Sequence, residues 1–161
     1  MDADPIVRQH LLALLQGGNA HMTLDQAVAG FPMDQINQRL PNVPYSPWHL
    51  LEHIRIAQWD ILEFIDNPDH VSPPWPDGYW PPAGEEGDPE KWQATLDALR
   101  VGAGSLEVLV RDEDTDLYSD LPHAPGYTVL REILLVADHN AYHLGQIMLI
   151  RRALERNGGT T

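Results

Sequence analysis

The chain has 161 residues, 43% of them hydrophobic, with no cysteine and a formal net charge of −14. Its length suits one compact domain over residues 1–161 with a real core, and without cysteine there is no disulfide framework, so a metal would have to be held by His and carboxylates. The acidic balance argues against nucleic acid, whose phosphates need Lys and Arg, and against anionic membrane surfaces; with no long apolar run and no signal-peptide pattern in MDADPIVRQH, a cytoplasmic protein is expected.

In chain order, PIVRQHLLALLQ reads as a helix stopped by Gly17-Gly18. TLDQAVAGF follows, with Thr23 and Gln26 in capping-box spacing, and the two pieces read as one interrupted first helix. Pro41 and Pro44 make residues 37–45 a connection. Ser46 as N-cap and Pro47 at the first position open a second helix. Its apolar stripe runs through Leu50, Ile54, Ala57, Ile61 and Ile65 until Asn67-Pro68 ends it. Residues 68–88, crowded with Pro, Gly and aromatics, form no regular element, and Trp75, Tyr79 and Trp80 are expected to pack that segment down. Asp88 and Pro89 start a third helix whose middle carries Gly102 and Gly104. Each glycine weakens the helix by roughly 1 kcal/mol relative to Ala and offers a close helix approach. Thr128 caps a fourth helix that reaches about Glu155 before Asn157-Gly158-Gly159. No strand and no internal repeat are expected. The acidic run from Arg111 to Asp116 reads as solvated surface. The pattern points to an all-α four-helix bundle.

Two histidine pairs at i,i+4 spacing stand out: His49 with His53, and His139 with His143. That spacing sets two imidazoles on one helix face, one turn apart, where they can grip one metal ion. On the last helix, Val136, His143, Gln146 and Ile150 fall on the His139 side, while Ala137, Ala141, Leu144 and Met148 lie near the opposite side. A helix apolar over so wide an arc is central to a core or covered by a second subunit, and a homodimer with this helix at or near the interface is expected. Buried histidines that only hydrogen-bond internally are the alternative to a metal site. Several buried imidazole nitrogens then need partners, and one cation satisfies them together. His10, His21, His70 and His123 have no matching partner and read as surface or capping residues, with His21 the one to watch. Asp60, two turns after His53, is either an orienting group or, the favoured reading, a helix-surface carboxylate, and Glu52, adjacent to His53, points elsewhere.

With His53 seven residues after Ser46 in SPWHLLEHI, and His139, His143, Gly145 and Gln146 forming H-x-x-x-H-x-G-Q in HNAYHLGQI, the chain resembles the DinB/YfiT-like superfamily of small metal-binding four-helix bundles. The resemblance covers nearly the whole chain in helix order. It implies the family's own crossover connections and a metal triad of His53, His139 and His143. The ion would be a divalent transition metal, with zinc, nickel, iron and manganese all compatible with imidazole. It further implies a metal-dependent enzyme performing thiol S-transfer, thiol-dependent isomerisation or hydrolysis on a small molecule, with a low-molecular-weight thiol as partner. The alternative is a non-enzymatic metal-binding or structural homodimer; a bundle binding a small apolar ligand without metal ranks third. No catalytic acid or base is assigned. His49 departs from the pattern. It is a candidate fourth ligand, proton shuttle or hydrogen-bonding neighbour, and a non-ligand role is favoured because a catalytic metal keeps an open position. Gln146 is a candidate to hydrogen-bond a substrate or orient a histidine, or simply to pack. Residue 67 lies about 21 Å along the helix axis from His53 at about 1.5 Å per residue. The irregular segment therefore starts far from the metal within one subunit and is not assigned as its lid, although a dimer partner could bring it close; the connections into Ser46 and Thr128, with Tyr45 and Tyr127, are expected to form the rim.

Overall fold

Local caps set the helix starts, and a computed structural model describes residues 4–158. Helix α1 spans Asp4–Gln16 and α2 spans Leu24–Val28. Between them Gly17 and Gly18 take the left-handed conformation at φ 68° and 81°, which glycine adopts without a Cβ penalty. The expected single interrupted helix is thus two separate helices, α1 lying against α4 and α5, and α2 against α5. Thr23 and Gln26 form the capping box of α2. Helix α3 spans Pro47–Asp66, with Ser46 Oγ accepting the His49 N–H at 3.2 Å. Helix α4 spans Pro89–Arg111, capped by Asp88, and α5 spans Val129–Gly158, where Thr128 Oγ1 accepts the Arg131 N–H at 3.1 Å. Gly159 of the expected stop lies outside the described residues.

The expectation of no strand fails at one place. Asp120–Leu121 (β1) and Ala124–Thr128 (β2) form a small antiparallel hairpin that runs directly into α5. Pro122, Pro125 and Gly126 break the period-2 pattern by which a strand is read. The burial pattern of β2 does not alternate either.

Helix α3 is the centre of the bundle, packed on both α4 and α5. The apolar core falls into two clusters along the helices. One contains Leu50, Ile54, Leu96, Leu99, Ile147 and Ile150. The other contains Ile61, Ile65, Leu106, Val110, Ile133 and Val136. On α5 the polar side chains of His139, Asn140 and His143 fall between the two clusters, and His53 and Gln58 of α3 meet them there. Asn140 donates to Gln58 Oε1 at 2.9 Å, and Gln58 donates to the Leu99 carbonyl at 2.8 Å. At the far end, buried Arg8 donates to the carbonyls of Val110, Asp112 and Thr115, closing the C-terminus of α4. On the outer face of α5, Leu135, Tyr142 and Leu149 recur every seven residues and stay exposed. Among the described residues no helix is long and apolar enough to cross a membrane.

Candidate metal centre

The Ser46 cap places His53 in the second turn of α3, facing the middle of α5, where i,i+4 spacing stacks His139 and His143 on one side. The structure brings these three together. His53 Nε2 lies 3.1 Å from His143 Nε2 and 3.1 Å from His139 Nε2, and one nitrogen from each ring lies within 4.8 Å of the others. His53 and His143 are buried and His139 partly so.

The outer nitrogens decide what the inner ones offer. His53 Nδ1 lies 2.8 Å from the Tyr79 carbonyl oxygen, which only accepts, so Nδ1 carries the proton. His143 Nδ1 likewise donates to Gln146 Oε1 at 2.8 Å. In the neutral rings both Nε2 atoms therefore present lone pairs to each other across 3.1 Å, with no proton to share. A cation resolves that arrangement. Two ligand nitrogens about 2.05 Å from one zinc ion at the tetrahedral angle lie about 3.3 Å apart, close to the spacing seen. Burial pushes the histidines toward this neutral, ligating form. It lowers His53 and His143 below the usual histidine value. Burial, with repulsion from His143 and His53, takes His139 down to about 4. The residues present thus fit a divalent ion and are able to hold one. Gln146 accepts this bond one turn beyond His143 and so holds the ring in place.

His49 stands outside this group. Its Nε2 faces the Pro82 carbonyl at 3.4 Å, so that nitrogen bears the proton, and Nδ1 takes the Ser46 hydroxyl proton at 2.6 Å. Glu52 points away, bonded to Arg55 and Thr95. His21 is exposed, with Nδ1 2.8 Å from the Met22 carbonyl, and His10 is exposed as well. His123 donates to the Phe64 carbonyl at 2.8 Å.

Four expectations about the surroundings are corrected. The Pro/Trp-rich segment does begin far from His53, but it runs back along α3 and covers the triad. The Trp80 ring stacks on the His53 ring with centroids 3.9 Å apart and 2° between planes, and Tyr45 stacks on Trp80 at 5.2 Å. An extended chain recovers about 21 Å in roughly seven residues; the start of a loop does not fix where it goes. Tyr45 reaches the rim as expected, whereas Tyr127 packs on Phe64 and Arg131 instead. Asp60 is buried rather than on the surface. Its two oxygens take the His70 Nε2 at 2.7 Å and the Tyr79 hydroxyl at 2.6 Å, so His70 is a partner of α3 and not a surface residue. Burial, together with the Asp60 carboxylate, raises the Tyr79 phenol to about 12 and keeps it a donor. The signal for Asp60 was its seven-residue spacing from His53, which puts both on one stripe of α3. Nothing local pointed to Tyr79 or Trp80.

A helical bundle with three converging histidines on its central and last helices is the class of protein that fold and site define. The family model of the DinB superfamily matches residues 16–147, which include the whole triad and Gln146, and the chain belongs to that superfamily. No curated protein matches it.

Proposed function

We propose that this protein is a metal-dependent enzyme. A divalent transition metal on His53, His139 and His143 would serve thiol S-transfer, thiol-dependent isomerisation or hydrolysis of a small molecule, with a low-molecular-weight thiol as the partner in the first two. The observation that carries this reading is the convergence of three neutral imidazoles with no fourth His or carboxylate among the described residues in the group. Three neutral ligands leave the ion its full charge and open positions for substrate. When bound, such an ion supplies Lewis acidity, lowering the pKa of a coordinated water or thiol. The chain's own residues do the rest. Tyr79 and Gln146 keep the ligand protons on Nδ1, and the Trp80–Tyr45 stack keeps water off one side of His53. A structural metal staple with His49 as fourth ligand draws less support, because both His49 nitrogens are turned to Ser46 and Pro82.

Metal analysis by plasma mass spectrometry on untagged protein tests the reading. About one transition-metal ion per chain is expected, lost in His53→Ala, and turnover in thiol-transfer or hydrolysis assays is expected to vanish with the metal in His143→Ala. Protein that neither carries nor takes up metal overturns it, as does activity that survives in the metal-free form.

A further inference from the structure

One buried carboxylate on α3 holds the 68–88 segment at two points. Asp60 lies below the triad on the His53 stripe and is 6% exposed. Its Oδ1 accepts from His70, near the start of the segment, and its Oδ2 from the Tyr79 hydroxyl. Both are short, at 2.7 and 2.6 Å. The segment's far end is separately tied, Asn37 exchanging two hydrogen bonds of 2.8 Å with the Gly87 backbone. The turn Asp77–Tyr79 therefore hangs between a fixed end and the Asp60 anchor. From that turn come the two groups that touch His53: the Tyr79 carbonyl on Nδ1 and the Trp80 ring on its face.

We infer that Asp60 and Tyr79 form a latch whose function is to position His53: the Asp60–Tyr79 bond holds the turn down so that the Tyr79 carbonyl fixes the proton on Nδ1 and leaves Nε2 free for the metal. The same side chain that grips α3 through its hydroxyl presents its backbone oxygen to the ligand. Breaking the hydroxyl bond frees the carbonyl to drift from His53. The opening also leaves a buried carboxylate short of a donor, which makes the closed position the favoured one. Asp60 and Tyr79 are positioning residues: Tyr79 meets His53 through its backbone carbonyl, and neither side chain belongs to the group that could hold the metal. The consequence for metal rests on the function proposed above, whereas the latch itself does not.

Tyr79→Phe removes one oxygen and keeps the ring; Asp60→Leu removes the anchor; Tyr127→Phe, the same loss of one hydroxyl from a ring packed on Phe64 and Arg131 rather than on the segment, is the control. In metal-free protein, hydrogen exchange at the Gly78, Tyr79 and Trp80 amides, all hydrogen-bonded within the turn, is expected to quicken at least tenfold in Tyr79→Phe. The double variant is expected to exchange no faster than Asp60→Leu alone. Nitrogen NMR of the imidazoles is expected to show His53 as the Nδ1–H tautomer in the parent and as a mixture in Tyr79→Phe, a change that general loosening of the fold would not single out. Zinc-loaded Tyr79→Phe is expected to lose its ion to excess chelator about 10-fold to 100-fold faster than the parent, the usual reach of groups that orient metal ligands, with Tyr127→Phe unchanged. Parent-like exchange and tautomer in Tyr79→Phe overturn the latch. Faster exchange with an unchanged tautomer and unchanged zinc release overturns the positioning of His53. A parent protein that takes up no zinc defeats the proposed function, and the exchange and tautomer results still decide the latch.

Discussion

A histidine buried neutral is a pH liability, and the triad has three of them. The folded values of His53, His139 and His143 are all depressed by burial, His139 to about 4 against an ordinary 6.5. A depressed value means that between those two pH limits the unfolded chain binds more protons than the folded one, so stability rises with pH there. Metal-free protein is expected to hold its full stability above pH 6.5 and to lose it progressively as pH falls toward 4. Thermal melting across that range checks this, and a melting temperature that is flat or rises on acidification would contradict it. At this scale the triad was legible because i,i+4 spacing and the Ser46 cap are local. Asp60 shares the His53 stripe, but its meeting with His70 and Tyr79 was not legible, since it depends on the path of an irregular segment that no periodicity encodes.

Two glycines in α4 that look alike in sequence do different work. A Cβ on Gly102 would meet Gln58 Nε2 at 2.7 Å, and Gln58 is the residue that bridges Asn140 of α5 to the Leu99 carbonyl of α4. A Cβ on Gly104 meets nothing within 4 Å. Gly104→Ala is therefore expected to stabilise by up to about 1 kcal/mol through helix propensity alone. Gly102→Ala is expected to destabilise by about 1–3 kcal/mol, because Gln58 must shift and leave buried polar groups unpaired. Urea unfolding of both variants checks the opposite signs. The close approach expected of small residues holds at one position and not the other. Only the facing side chain distinguishes them, and that is tertiary information. The hairpin of β1 and β2 escaped for a similar reason: two prolines and a glycine read as loop, while its pairing is set by where α5 must begin.

Across the molecule, the caps at Ser46, Asp88 and Thr128 made the order and starts of the long helices readable, and the resemblance supplied the superfamily. What the arc of α5 left open was which of its faces solvent reaches. Both predicted faces are largely taken up inside the bundle, and a third stripe, Leu135, Tyr142 and Leu149, remains outside. We propose a second copy of this chain as its occupant. Two copies pairing antiparallel about Tyr142 set each Leu135 against the other's Leu149 and bring the two Tyr142 rings together, so the stripe covers itself. Light scattering after size exclusion is expected to give a dimer mass, and Tyr142→Glu a monomer; a monomeric parent would overturn the pairing.

The polar belt between the two apolar clusters also bears on how the bundle comes apart. Oily contacts knit each half of the helices together, and between the two clusters α5 presents His139, Asn140 and His143 to His53 and Gln58 of α3. Polar contacts of this kind add less cohesion than apolar burial does, so local opening is expected to cost least along this seam. An ion seated on His53, His139 and His143 would rivet the seam, so that the two halves melt as one body with it and as loosely joined neighbours without it.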